Sequence, residues 1–185
     1  MLELLSPVGD FECLKAAVQN GADSVYFGSD TFSARAFAKN FNEENLKEAI
    51  YYAKIRGVKT YLTLNTLIKN EELDNAINLA TTAYENGIDA IIVQDLGLAT
   101  LLIKLFPDLP IHASTQMTVH NLNGAIKLQE LGFKRVVLAR ELSINEIDYI
   151  SKNVDIEIEC FAHGALCISY SGQCLFSSLL RWSFW

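Results

Sequence analysis

Positive charge is scarce in this sequence: 15 Lys and Arg stand against 22 Asp and Glu, for a net charge of −7. Phosphate binding rests on clustered Lys and Arg, so charge alone does not hold this chain to nucleic acid. Another segment would have to supply that affinity. Long apolar runs are also missing. The most apolar helical stretch, Leu96 to Leu105, is too short to span a bilayer and carries Lys104. Met1-Leu2-Glu3 opens directly into structured sequence, without a basic n-region or an apolar h-region. The expected location is the cytoplasm, with no membrane partner. There, four cysteines read as thiols or metal ligands before they read as disulfides. No G-x-G-x-x-G follows the first strand, and neither H-E-x-x-H nor G-x-S-x-G occurs, so dinucleotide, zinc-protease and nucleophile-elbow readings lack support.

What is present is a folding composition, 50% hydrophobic and 20% charged, arranged as a repeat. Seven strand-like runs recur: Leu2–Pro7, Ser24–Gly28, Lys59–Asn65, Ala90–Gln94, Ile111–Gln116, Arg135–Arg140 and Ile156–Phe161. Runs such as Ala90-Ile91-Ile92-Val93 are apolar on both faces, the mark of a parallel sheet covered by helices. Asn42, Asn70 and Ser143 are candidate N-caps, and Ser143 with Glu146 spells a capping box. Gly21, Gly57, Gly87 and Gly132 each close a helix just before the next strand. Leu46, Ala49, Ile50 and Ala53 form an apolar stripe at helical spacing. Strands recur about every 25 residues, the size of a βα unit. The predicted fold is α/β, a TIM-type (β/α)8 barrel left incomplete at about seven units. The expected organisation is a partial barrel over residues 1–178 and an aberrant tail at 179–185, in a truncated chain; a short natural protein with an open sheet is the alternative. Open edges call for a partner, a second copy or another chain.

In such a barrel the chemistry lies at the C-terminal strand ends. Those ends read Ser6, Gly28, Asn65, Gln94 with Asp95, Ser114 with Gln116, Arg140 with Glu141, and His163. Asn65, Gln94, Ser114 and Gln116 are candidate substrate-binding residues; Arg140, Glu141 and His163 are candidate catalytic residues. A guanidinium at a strand end wants an anion: Glu141 or Asp95 as a structural partner, or an anionic substrate group. His112 reads as a core histidine and His120 as a helix cap. Cys13 and Cys160 read as buried packing residues. Cys167 and Cys174 sit in a loop rich in Gly and Ser, where metal ligation, a nucleophilic Cys167 paired with His163, and plain structural thiols all remain open.

The run Glu159-Cys160-Phe161-Ala162-His163-Gly164-Ala165-Leu166-Cys167-Ile168-Ser169-Tyr170-Ser171-Gly172-Gln173-Cys174 closely resembles the signature of the collagenase-like peptidase family U32. The segments Leu4–Asp10, Gly21–Gly28, Thr63–Thr66 and His112–Met117 look like that family's other motifs, in register to about residue 180. The resemblance implies a TIM-barrel-like catalytic domain. The "U" denotes an unknown catalytic type, and members resemble oxygen-independent hydroxylases of transfer RNA, ribosomal RNA or a ubiquinone precursor. They carry a [4Fe–4S] cluster on four cysteines, and prephenate is implicated as hydroxyl donor in the RNA branch. By motif, Cys167 and Cys174 would be two of the four ligands. The family's Gly/Arg-rich continuation and further cysteines are replaced here by Leu179-Leu180-Arg181-Trp182-Ser183-Phe184-Trp185.

Three functions are therefore expected in turn: an iron–sulfur-dependent hydroxylase domain acting on RNA, a peptidase as the family label says, or a non-catalytic partial barrel acting as a subunit. Quinone-precursor members are known to pair, which supports the last.

Overall fold

Seven strands and six helices alternate along the residues that the computed structural model describes, 2–34, 40–164 and 167–174. In chain order they are β1 (Leu5–Pro7), α1 (Phe11–Gln19), β2 (Ser24–Gly28), α2 (Glu43–Lys54), β3 (Lys59–Leu64), α3 (Leu73–Glu85), β4 (Ala90–Val93), α4 (Leu96–Leu105), β5 (Ile111–Ala113), α5 (Leu122–Glu130), β6 (Arg135–Val137), α6 (Ile144–Lys152) and β7 (Glu157–Glu159). Strand order follows the chain, and the pairs β1–β2, β2–β3, β3–β4 and β6–β7 are parallel. Parallel neighbours need a crossover, which the helices supply. The α/β class and the count of seven units match the repeat. The anticipated tail, 179–185, lies outside the described residues.

The helix ends follow from local chemistry. Asp10, Asn42, Asp95, Asn121 and Ser143 each accept a backbone N–H of the first turn. Ser143 and Glu146 close the expected capping box. Gly57 has φ +71° and Gly132 φ +96°, left-handed values that an L side chain resists. Asn70 is not a cap: it is the first residue of a 3₁₀ turn, Asn70–Glu72, which Lys69 opens by donating its N–H to Glu72 at 2.9 Å. Nor does His120 cap α5; Asn121 accepts the Gly124 N–H at 2.9 Å.

The chain divides into two compact units, Met1–His112 and Ala113–Trp185. In the first, α2 buries the predicted stripe of Leu46, Ala49, Ile50 and Ala53, and α3 buries Ala76, Leu79, Ala80 and Ala83. Strand register aligns Tyr26, Tyr61 and Ala90, which cluster with Leu5 and Ile92 on one face. Alternation puts Leu62, Leu64, Ile91 and Val93 on the other, all fully buried. Burying each such Leu or Ile contributes about 1.5–3 kcal/mol. His112 is the expected core histidine, buried with its ring edge-on to Tyr61 at 5.0 Å.

In the second unit β6 carries a buried arginine. Arg135 donates to Glu157 at 2.6 and 2.8 Å and to Glu159 at 3.4 Å, across the β6–β7 register. Paired this way, its charge is tolerable within a sheet. Strands here are shorter than their apolar runs. β5 stops at Ala113 because Ser114 accepts the Gln116 N–H and turns the chain into a 3₁₀ segment, Thr115–Met117. Beyond β6, Leu138 and Ala139 still donate to Glu159 and Val119, both at 3.0 Å.

Candidate functional site

Each unit presents polar residues just past its strands. In the first, Asn65 follows β3 and accepts the Ala34 N–H at 2.9 Å, so it anchors the loop after β2. Beneath it Ser33 and Thr63 share a hydroxyl contact at 3.2 Å. A Cβ on Gly28 would collide with the Ser33 side chain and with Asn40 Oδ1, which explains glycine there. Gln94 follows β4 and is half-buried. Asp95, considered as a partner for Arg140, caps α4 through Leu98 at 2.9 Å and accepts the Ile68 N–H at 3.3 Å.

In the second unit a tighter cluster forms around Ser171. Gln173 N–H donates to the Tyr170 carbonyl at 3.0 Å. With Gly172 at φ +76° in third position, this is a type II turn. The turn lies against the segment after β5: a Cβ on Gly172 would come 2.6 Å from the Gln116 carbonyl. Thr118 donates to the Ser171 carbonyl at 2.9 Å. Ser171 itself is 1% exposed. Its Oγ accepts the Arg140 backbone N–H at 3.1 Å and Arg140 Nε at 3.4 Å, while its own N–H and hydroxyl donate to Glu141 Oε1 at 2.9 and 3.2 Å. The other carboxylate oxygen lies 3.1 Å from His120 Nε2, and His120 Nδ1 lies 2.9 Å from the Thr118 carbonyl, which requires the hydrogen on Nδ1. Glu141 is thus a partner of Ser171 and His120.

Electrostatics follow this geometry. Burial works to raise the Glu141 pKa, but hydrogen bonds from its own backbone N–H and from Ser171, with the His120 charge, hold it below the usual carboxylate value. Cys167 is exposed, and its thiol is pulled below the ordinary range. The Ser169 N–H contributes most, followed by the Cys174 thiol, with the Ser169 hydroxyl and Arg140 adding to it. Such surroundings favour the thiolate, the form that attacks electrophiles and binds metals. Cys174 is also exposed.

Other sequence-predicted residues stand apart. His163 is exposed and has no hydrogen-bond or ion-pair partner among the described residues; the groups acting on the Cys167 thiol are Ser169, Cys174 and Arg140. Cys13 and Cys160 are exposed, contrary to the packing expected of them. In α1 the buried position is Leu14, which turns its neighbour outward. Cys160 lies one residue past β7, where partial desolvation and then the Glu159 charge raise its pKa. Sequence reasoning missed Ser171, Thr118 and Ser169. The Ser-Gly turn signal was visible, but contacts 30 and 53 residues apart leave no local pattern.

A [4Fe–4S] cluster needs about four thiolates. Among the described residues no three His, Cys, Asp or Glu side chains converge as a metal site. Cys167 and Cys174 are two thiols where such a cluster needs about four, so these residues alone do not fit a complete cluster.

Parallel βα units with a polar, thiol-bearing rim past the strands define an α/β protein of the TIM-like class. Residues 9–182 match the model of peptidase family U32, and the chain belongs to that family. It is 43% identical over 176 residues to the 23S rRNA 5-hydroxycytidine C2501 synthase of Escherichia coli K12, covering 95% of this chain and 26% of that protein. It is 42% identical over 180 residues to the tRNA hydroxylation protein P of the same organism, covering 97% and 40%. The chain therefore spans well under half the length of these relatives. Among solved structures, the U32 peptidase Mk0906 superposes with a TM-score of 0.70 at 20% identity, over 86% of this chain and 68% of that one. That likeness supports the fold. No helix among the described residues is long and apolar enough to cross a membrane.

Proposed function

We propose that this chain carries the thiol-bearing part of an RNA hydroxylase of the U32 type. The observation that carries the reading is the pair of exposed thiols, Cys167 and Cys174, flanking the turn whose Ser171 is bonded to Arg140. In this reading the two cysteines are half of the ligand set of a [4Fe–4S] cluster, and the other two thiolates come from outside these 185 residues. Arg140, fixed by Ser171, offers a guanidinium to a small anionic donor, prephenate by the family resemblance. Asn65, Gln94, Ser114 and Gln116 belong to the strand-end rim, where substrate contacts are expected. The net charge of −7 means that RNA affinity must come from elsewhere in the assembly.

The similar proteins support RNA as the substrate class, since two of them are named for hydroxylation of ribosomal and transfer RNA. The peptidase label has less behind it here. Ser171 is buried and hydrogen-bonded on both sides, and the groups that act on the Cys167 thiol are Ser169, Cys174 and Arg140, with no base among them. The test is mass spectrometry of nucleosides from transfer and ribosomal RNA of the native host, with the gene intact, deleted, or carrying Cys167→Ser. The expected result is a hydroxylated nucleoside that disappears in both altered strains. Unchanged RNA in both would overturn the reading.

A further inference from the structure

Within the mostly exposed run from Cys167 to Cys174, a single residue is buried. Cys167, Ile168, Tyr170, Gln173 and Cys174 all face solvent, whereas Ser171 is 1% exposed. A polar residue is buried in the middle of an exposed Ser- and Gly-containing loop only when something holds it there, because an unpaired buried hydroxyl is costly. What holds it is Glu141, which accepts both the N–H and the hydroxyl of Ser171. The hydroxyl's direction is determined: its oxygen takes the Arg140 N–H, so its hydrogen goes to the carboxylate. The other oxygen of that carboxylate lies 3.1 Å from His120 Nε2.

We propose that Glu141 is a positioning residue for the Cys167–Cys174 pair, pinning the turn between them through Ser171 so that both sulfurs face the same space. Glu141 then acts through Ser171 and not on a reacting atom. Three further observations agree. The pinned turn is closed by Gln173 onto Tyr170. Gly172 leaves no room for a Cβ against the Gln116 carbonyl. Thr118 secures the Ser171 carbonyl from the opposite side. Without the carboxylate, the six residues between the cysteines regain the freedom of a short open loop, and the sulfurs meet less often. The inference rests on the reading of these cysteines as functional thiols, but its test needs no iron, so the two fail separately.

The experiment measures the effective concentration of the two thiols toward each other. In the full chain with Cys13→Ser and Cys160→Ser, the protein is equilibrated with reduced and oxidised glutathione. Closure joins the Cys167 and Cys174 sulfurs. One oxidised glutathione accepts the electron pair, its S–S bond breaks, and two glutathione thiols carry away the two protons. We expect Glu141→Ala to lower the effective concentration about tenfold, the scale of one charge-assisted hydrogen bond. Glu141→Gln should retain most of it, since the amide oxygen still accepts the Ser171 N–H. Gly57→Ala, a destabilising change in the other unit, should leave it unchanged. A folded Glu141→Ala protein with the parent's effective concentration would overturn the proposal. If that variant does not fold, Ser171→Ala decides: a drop of about threefold supports the clamp, and no drop overturns it.

Discussion

Glu141 and Thr118 show how single residues hold this site. The folded-state pKa of Glu141 lies below its unfolded value, so its contribution to stability is present above the ordinary carboxylate pKa and is lost as pH falls through the lowered one. Glu141→Gln should therefore flatten the acid limb of the stability curve below about pH 4.5; chemical denaturation at stepped pH checks this, and an unchanged limb would count against the pairing with Ser171. Thr118 sits at φ +58°, a costly setting for a β-branched residue. Its hydroxyl, bonded to the Ser171 carbonyl, offsets that cost. Thr118→Val keeps the shape, loses the bond and should destabilise the fold by about 1–3 kcal/mol in urea unfolding. At this scale the sequence was partly readable. Arg140-Glu141 stood out as an ionisable pair, yet the partner of Glu141 lies 30 residues away, and nothing local marks Ser171 as the one it holds.

The elements were the most readable scale, because their ends are set by neighbours in sequence. The glycine helix stops and the Ser143–Glu146 box were visible as residue types at fixed offsets, and both formed as read. Gly57 has open space where a Cβ would go, so Gly57→Ala isolates the cost of its positive φ. A loss of about 1 kcal/mol is expected from thermal unfolding. Ser143→Ala should cost about the same by removing the α6 cap. Strand ends were less readable. The apolar runs at β5 and β6 continue past the ladder, since residues such as Leu138 and Ala139 stay buried after regular pairing stops. Burial and strand pairing leave the same mark in sequence and end at different residues. Asn70 shows the same limit: a capping residue type was present, but the cap position fell one residue earlier, at Lys69, whose backbone N–H bonds Glu72.

For the whole molecule, a repeat of seven βα units and the likeness to the U32 peptidase Mk0906 lead to one α/β architecture. Its apolar faces account for the fold: Leu62 is fully buried, and Leu62→Ala should cost about 2–5 kcal/mol. The proposed function rests mainly on the motif around Cys167 and Cys174, because thiol spacing alone left metal, nucleophile and structural roles open. The central claim is that this pair helps to hold an iron–sulfur cluster. The direct measurement is iron and acid-labile sulfide in the protein purified without oxygen, alongside Cys167→Ser. Iron and sulfide in equal amounts, about four of each per cluster, bound by the parent and lost in the variant, are predicted; the remaining thiolates would come from outside these 185 residues, such as a second chain. A folded parent protein without iron, or iron indifferent to Cys167→Ser, would contradict the claim.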